Sequence, residues 1–285
     1  MTLSAKTIIG KVVLNVESME KMKKFYTTII GLEIKNETEH LLQLGALGDK
    51  QVILELQPVP TIGEKPSATG MYHMAFLLPT RKDLGEIFYH ILASKYPLTG
   101  ASDHGYSEAL YLDDPEGNGI EIYRDKPKSM WDIREDGQIV GVTEAMDADG
   151  VIGEAKQAFQ GMPKGTYMGH VHLFVAELEE TEKFYNDILG FDLKFKFGPQ
   201  AKFFAAGEYH HQIAANVWAG KNIPAAQKGL RGLAYFTIVV SSSDELAQIK
   251  EKLDAKNYSY QLDEATQTLS LEDTNGIAIK ITTTD

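Results

Sequence analysis

The sequence repeats itself, and this repeat limits the possible folds more than any other feature. The segment GKVVLNVESMEKMKKFYTTIIGLEI, which starts at Gly10, matches GHVHLFVAELEETEKFYNDILGFDL, which starts at Gly169, at an offset of 159 residues. Weaker copies start at Gly70 (GMYHMAFLLP) and Gly232 (GLAYFTIVVS). Because a fixed internal period indicates structural repeats, the sequence predicts four modules of roughly 55 residues in two halves.

Each module is predicted to hold a strand, a helix and several short strands. The stretches LGEIFYHILASK and ELAQIKEKLDAK have the apolar spacing of amphipathic helices, and two modules close on the strands NGIEIY and NGIAIKI. Strands of this kind curl into open barrels whose side chains alternate between the concave and the outer face. The expected fold class is therefore α+β, with four βαβββ modules that form two open curved barrels.

The repeat also predicts the domain boundaries. The first domain is placed at residues 1–126, with modules at 8–58 and 70–124, and the second at 165–285, with modules at 168–218 and 231–282. The polar, glycine-containing stretch 127–164 is predicted to be the linker between them.

Composition excludes several classes of function. A net charge of −12 disfavours binding to a phosphate backbone, and no apolar run approaches the length of a membrane span. We therefore expect no nucleic-acid partner and no membrane partner. The N-terminal segment MTLSAKTIIGKVVLNV lacks the pattern of a secretory signal peptide, so we also expect a cytoplasmic location. The chain contains no cysteine, so any metal must be held by histidines and carboxylates.

Alignment of the modules selects the candidate ligands. Matching the opening glycines puts Lys11 opposite His170, and His73 opposite Tyr235. Matching the closing strands puts Glu55 opposite Asn216, and Glu121 opposite Ala278. Modules 2 and 3 alone then combine ligand-type residues, which are His73, Glu121 and His170.

Two imidazoles and one carboxylate are typical ligands of a non-haem Fe(II) ion, because they leave one face of the metal open. The alternative is that His73 and His170 are ordinary buried histidines and that Glu121 is a solvated charge. His172 competes for the same role, since it lies two residues beyond His170 and faces the same side.

One segment resembles the signature of the extradiol ring-cleaving dioxygenases of the catechol 2,3-dioxygenase kind, in the vicinal oxygen chelate superfamily. The segment is SDHGYSEALYLDDPEGNGIE, and its matching positions are His104, Leu110, Tyr111, Asp114, Pro115, Gly117 and Glu121. Ser102 departs from the pattern at a turn position. The resemblance implies that Glu121 binds the metal, that Tyr111 hydrogen-bonds a substrate oxygen and that His104 lines the pocket.

The resemblance also implies an acid–base histidine in an HHxxA stretch, here His210-His211-Gln212-Ile213-Ala214. The family pattern favours His211, whereas strand parity with Asn216 favours His210, so both remain candidates.

Many members carry the metal in the last two modules. Here Tyr235 and Ala278 occupy those positions, so we expect module 2 to pair with module 3, and module 1 with module 4.

The expected function is extradiol cleavage of a catechol or hydroquinone with O2 at Fe(II), with Mn(II) as a possible substitute. One alternative is a glyoxalase-type metal-dependent isomerase or lyase, which requires Glu55 as a second carboxylate and pairing of modules 1 and 2. Another is a metal-free drug-binding protein of the same fold. The exposed strand edges of open barrels often pair, which allows a homo-oligomer.

Overall fold

The fold is built from four modules that share one order of elements. The computed structural model describes residues 2–61 and 67–284. Module 1 consists of β1 (Ile8–Val16), α1 (Met19–Thr28), β2 (Glu33–Thr38), β3 (Leu41–Gly45) and β4 (Leu54–Pro58). Module 2 consists of β5 (Gly70–Leu77), α2 (Arg81–Ala93), β6 (Gly100–Asp103), β7 (Ser107–Asp113) and β8 (Gly119–Asp125).

The second half repeats this order after a connecting segment with short elements of its own. The segment contains a 3-10 turn (Lys128–Met130), β9 (Asp132–Ile133), β10 (Ile139–Val140), β11 (Glu144–Ala145) and α3 (Ala148–Gly153). Module 3 consists of β12 (Tyr167–Phe174), α4 (Leu178–Glu182) with a π-helical continuation (Lys183–Ile188), β13 (Asp192–Phe197), β14 (Ala201–Ala205) and β15 (Ile213–Asn216). Module 4 consists of β16 (Gly232–Val240), α5 (Ser243–Ala255), β17 (Tyr260–Asp263), β18 (Thr268–Glu272) and β19 (Ala278–Thr283).

The modules pair across the two halves of the chain. A nine-stranded sheet has the order β11-β6-β7-β8-β5-β12-β15-β14-β13, and an eight-stranded sheet has the order β17-β18-β19-β16-β1-β4-β3-β2. The first, called here the 2–3 barrel, joins modules 2 and 3, and the second, the 1–4 barrel, joins modules 1 and 4. The predicted pairing is confirmed, whereas the predicted domain boundaries at residues 126 and 165 stay a prediction.

Hydroxyl side chains cap the start of three helices, and glycines follow the first helix of each half. Ser18, Thr80 and Ser242 cap the first turns of α1, α2 and α5 with their hydroxyl oxygens. After the first helix of each half, Gly31 and Gly190 adopt positive φ angles of 79° and 90°, which a residue without a Cβ adopts at little cost. Within residues 2–61 and 67–284, no helix is both long enough and apolar enough to cross a membrane.

Repeated Tyr and Asp residues join the two barrels. The Tyr26 hydroxyl, in the FY pair of module 1, donates to Asp114 of module 2 at 2.7 Å. The Tyr185 hydroxyl, in the FY pair of module 3, donates to Asp273 of module 4 at 3.1 Å. All four side chains are buried, and each aspartate also accepts backbone N–H groups of its own turn. The repeated FY and Asp positions therefore have a structural purpose, which is to tie each half together.

The closing strands correct one part of the sequence alignment. His73 lies beside Gly119 in the β5–β8 pair, and Tyr235, which precedes Phe236, correspondingly lies beside Ala278. Ala278 therefore corresponds to Gly119, and Lys280 corresponds to Glu121. The NGI motifs misled the alignment because one falls after the turn glycine and the other contains it, at Gly117 and Gly276.

The same two-residue error affects modules 1 and 3. Val12 pairs with Leu54 and Val171 pairs with Ile213 in the corresponding parallel pairs. Glu55 therefore corresponds to Ala214 rather than to Asn216. The shift is an even number of residues, so it changes the position along the strand but not the face on which the side chain lies.

We predict that Tyr26→Phe lowers the free energy of unfolding by about 1.5–3 kcal/mol, the usual range for a hydrogen bond to a charged group. The substitution removes only the hydroxyl that donates a hydrogen bond to Asp114, and the Asp114 carboxylate stays buried. Urea unfolding would measure the change. Tyr89→Phe is the control, because Tyr89 is 60% exposed; an equal loss for both variants would contradict the role of the Tyr26 hydroxyl.

Candidate metal and substrate site

Three side chains on adjacent strands converge in the 2–3 barrel. His73 lies on β5, Glu121 on β8 and His170 on β12, and the strand order places β8, β5 and β12 side by side. The Nε2 atoms of His73 and His170 are 3.2 Å apart. Each of them lies 3.1 Å from Glu121 Oε2. All three side chains are buried.

This triangle fits one divalent cation. Neighbouring ligands of an octahedral ion at about 2.1 Å lie about 3.0 Å apart, which is close to the three separations here. The three residues form a group that could hold a metal ion. In the described ranges Glu121 has histidine partners but no lysine or arginine partner in an ion pair. A cation would therefore supply the charge that this buried carboxylate lacks.

The electrostatics of the triangle favour metal binding. Burial lowers the pKa of His73, and the nearby Glu121 opposes this shift. Burial alone would raise the pKa of Glu121, but His170 and His73 hold it well below its ordinary value. An ionised carboxylate and a neutral imidazole are the protonation states that metal binding requires.

His172 faces the same cavity but is not part of the triangle. Its ring centroid lies 4.9 Å from that of His73, and it lies directly opposite His73 in the antiparallel β5–β12 pair. Burial lowers its pKa well below the ordinary value. Its Nε2 atom is buried and lacks a hydrogen-bond partner among the described residues. His172, the alternative ligand to His170, therefore lies beside the triangle as a neutral imidazole.

The 1–4 barrel carries a different set of side chains at the corresponding positions. Lys11 occupies the place of His170, and its ammonium group lies 2.6 Å from the carboxylate of Glu55. Gln43 and Gln57 also donate to Glu55. Because Glu55 already has an internal cation and two amide donors, this barrel does not offer the donor set of the 2–3 barrel.

A cavity of about 520 Å³ opens over the triangle. Aromatic rings form much of its wall, and Trp218, 45% exposed, lies at its open side. The lining includes His73 and Glu121 together with Tyr72, His104, Tyr106, Tyr111, His172, Phe195, Phe203, His211 and Trp218. Such a cavity suits a flat, largely apolar ligand with a few polar atoms.

Tyr111 and His104 form a hydrogen-bonded pair in this wall. His104 Nδ1 lies 2.7 Å from the carbonyl oxygen of Val142, which can only accept, so Nδ1 carries the proton of the neutral ring. His104 Nε2 then accepts from the Tyr111 hydroxyl at 2.6 Å. Burial, with Glu121 nearby, raises the pKa of Tyr111 well above its ordinary value, so the hydroxyl stays protonated. Its oxygen lone pairs remain able to accept from a ligand.

The two adjacent histidines have different surroundings. β15 begins at Ile213, so His210 and His211 precede the strand and strand parity does not apply to them. His211 lines the cavity, with its ring centroid 4.2 Å from that of His170. His210 is buried behind it and stacks on Tyr106, with ring centroids 4.2 Å apart, and its Nε2 atom lies in hydrogen-bond range of Asp125 Oδ1, at 3.0 Å. Burial, followed by the proximity of His170, lowers the pKa of His211 well below its ordinary value.

Several residues of the site were not predicted from the sequence. Phe195 and Phe203 come from strands whose position around the cavity depends on the module pairing, so no local pattern indicated them. Asp125 offered one signal, because it lies four residues after Glu121 on the same strand and therefore on the same face.

The comparisons with known proteins agree with this fold. The sequence matches the Glyoxalase/Bleomycin resistance protein/Dioxygenase superfamily at residues 8–122 and 167–281. It is 38% identical over 270 residues to a catechol-2,3-dioxygenase of Bacillus subtilis (strain 168), covering 94% of each chain. It is 28% identical over 116 residues to biphenyl-2,3-diol 1,2-dioxygenase 2 of Rhodococcus globerulus, covering 40% of this chain and 60% of that protein.

A crystal structure from Bacillus subtilis subsp. subtilis str. 168 shares the fold with a TM-score of 0.69 at 14% identity, covering 99% of this chain and 86% of that one. Two matched segments, one in each half, account for most of the sequence. The chain therefore belongs to the Glyoxalase/Bleomycin resistance protein/Dioxygenase superfamily.

Proposed function

We propose that the protein is an extradiol dioxygenase that opens catechol-type aromatic diols at an Fe(II) ion held by His73, Glu121 and His170. The observation that carries this proposal is the triangle of two imidazole nitrogens and one carboxylate oxygen, with edges of 3.1 to 3.2 Å, below an aromatic cavity. The chain is similar to a catechol-2,3-dioxygenase over 94% of its length, and this similarity identifies the protein as a dioxygenase.

The donor set suits the proposed chemistry. A divalent metal bound at this site would lower the pKa of both hydroxyls of a diol and bring the diol and dioxygen together. Three protein ligands on one side leave the cavity side for both reactants. Mn(II) prefers similar nitrogen and oxygen ligands, so this donor set suits Fe(II) and Mn(II) alike.

The cavity walls orient an aromatic ring. Phe195, Phe203 and Trp218 present apolar surface that can pack against a flat ring, since offset and edge contacts between aromatic groups are favourable. His73 and Glu121 line the same cavity, so a ring held against these walls can direct two adjacent oxygens at the metal position. Binding in one orientation reduces the entropy cost of the reaction.

Two groups on the cavity wall can interact with the hydroxyl protons of the diol. His211 is a neutral imidazole on the cavity wall and can accept a hydroxyl proton, then return it later in the reaction. Tyr111 donates to His104 and can accept a hydrogen bond from a substrate hydroxyl. His104 acts through Tyr111 because its two nitrogens are occupied by Val142 and Tyr111.

The isomerase alternative loses its main support in this fold. That function needs Glu55 as a second carboxylate ligand, but Glu55 belongs to the 1–4 barrel and is paired with Lys11. A metal-free binding protein would leave the close approach of His73, Glu121 and His170 without a purpose. We therefore favour the dioxygenase.

We predict that Glu121→Gln weakens binding of Fe(II) or Mn(II) by about 100-fold or more, since residues that only support a metal ligand already contribute 10- to 100-fold. Titration calorimetry, carried out without air for Fe(II), would measure it. Glu55→Gln is the matched control, a buried carboxylate in the other barrel, and should keep the native stoichiometry of one ion. Loss of binding in Glu55→Gln but not in Glu121→Gln would contradict the proposed site.

We predict that the protein loaded with Fe(II) converts catechol or 4-methylcatechol in air to a yellow semialdehyde, with uptake of oxygen. His73→Ala should lower the rate by more than about 100-fold, because it removes one metal ligand. His40→Ala, at an exposed position, is the control. Wild-type protein that binds the metal stoichiometrically but gives neither colour nor oxygen uptake with Fe(II) or Mn(II) would refute the proposed reaction.

A further inference from the structure

Three side chains form a hydrogen-bonded series that leads away from the cavity. His211 lines the cavity, and its Nδ1 atom lies 2.8 Å from Nδ1 of His210. The other nitrogen of His210, Nε2, lies 3.0 Å from Oδ1 of Asp125. The side chain of Asp125 is 24% exposed, so the series runs from the cavity to the edge of the protein.

The carboxylate at the end of this series determines where the protons lie. An ionised carboxylate only accepts, so His210 Nε2 must carry the proton that it donates to Asp125. The Nδ1 atom of a neutral His210 then has a lone pair and accepts from His211 Nδ1. His211 consequently carries its proton on Nδ1 and has a free lone pair on Nε2. Among the described residues, no hydrogen-bond partner is found for that Nε2 atom.

Packing keeps the intermediate ring in this orientation. His210 is 1% exposed and stacks on Tyr106, with ring centroids 4.2 Å apart and planes 11° apart. Tyr209 packs against it at 4.1 Å, and Trp131 lies at 5.3 Å. A ring flip would place carbon atoms where the two nitrogens lie, so it would break both hydrogen bonds and disturb these contacts.

We propose that Asp125 is a positioning residue that acts through His210, and that this series fixes His211 in the tautomer whose free nitrogen can accept a proton from the substrate. The inference deepens the proposed function, on which its catalytic consequence rests. It assigns different tasks to the two adjacent histidines: His211 exchanges the proton, and His210 relays the influence of the carboxylate. In another well-studied enzyme class, a buried aspartate likewise fixes the tautomer of a catalytic histidine.

The tautomers can be observed directly. In protein labelled with 15N-histidine and studied without added metal, long-range proton–nitrogen spectra distinguish Nδ1–H from Nε2–H rings. We expect His211, assigned with the variant His211→Gln, to be Nδ1–H in the wild type and to lose that preference in Asp125→Ala. An Nε2–H ring at His211 in the wild type, or an unchanged ring in Asp125→Ala, would overturn the inference.

The kinetic consequence is tested in the metal-loaded enzyme. Asp125→Ala should lower kcat for catechol by about 10- to 100-fold, the usual effect of removing a supporting carboxylate, while KM changes by less than about threefold. Asp125→Asn, which keeps the side-chain shape, provides a second variant if the alanine variant folds poorly and should also lower kcat. The control is Glu182→Gln, a similarly exposed ion-paired carboxylate outside the cavity lining, which should keep kcat.

The two proposals can fail separately. If the wild type cleaves no diol, the proposed function fails, while the nitrogen spectra still decide the tautomer of His211. If the wild type is active and both Asp125 variants keep the wild-type kcat, the positioning role fails and the proposed function stands.

Discussion

The antiparallel pairing of β5 with β12 is the interaction on which the site depends. It joins module 2 to module 3, and it places His172 opposite His73 and His170 opposite Ala75. The parallel β5–β8 pair then adds Glu121 on the other side of β5. A different pairing of the modules would move His170 away from His73 and Glu121. The donor atoms meet because strands from distant parts of the chain are neighbours in one sheet.

The two barrels show two ways to accommodate a buried carboxylate. In the 1–4 barrel, Lys11 provides the positive charge for Glu55 within the chain itself. In the 2–3 barrel, a histidine replaces that lysine at the corresponding position, and Glu121 faces imidazole nitrogens. Because burial of an uncompensated charge is costly, the second arrangement suits an external cation. At the positions of His73, Glu121 and His170 the 1–4 barrel carries Tyr235, Lys280 and Lys11, so the candidate catalytic barrel differs from the other barrel at all three ligand positions.

Much of this could be predicted from the sequence, because repeats and strand alternation are local patterns. The module pairing and the meeting of His73, Glu121 and His170 followed from which repeat positions carry ligand-type residues. The closing-strand register could not be read reliably, since the NGI motif follows the turn glycine in module 2 but contains it in module 4. The distinction between His210 and His211 also required the structure. Both residues precede β15, where the backbone is irregular and the alternation of faces no longer applies.

The pairing of modules 2 and 3 is expected to create a single metal centre, while the 1–4 barrel creates none. Crystals grown with Fe(II) or Mn(II), measured at the absorption edge of the metal, would test this difference by anomalous scattering. We expect one strong peak per chain, within bonding distance of His73 Nε2, His170 Nε2 and a Glu121 carboxylate oxygen. A peak beside Glu55 in the 1–4 barrel, or no peak at the triangle in protein that binds the metal stoichiometrically, would contradict the assignment of the metal site to the 2–3 barrel.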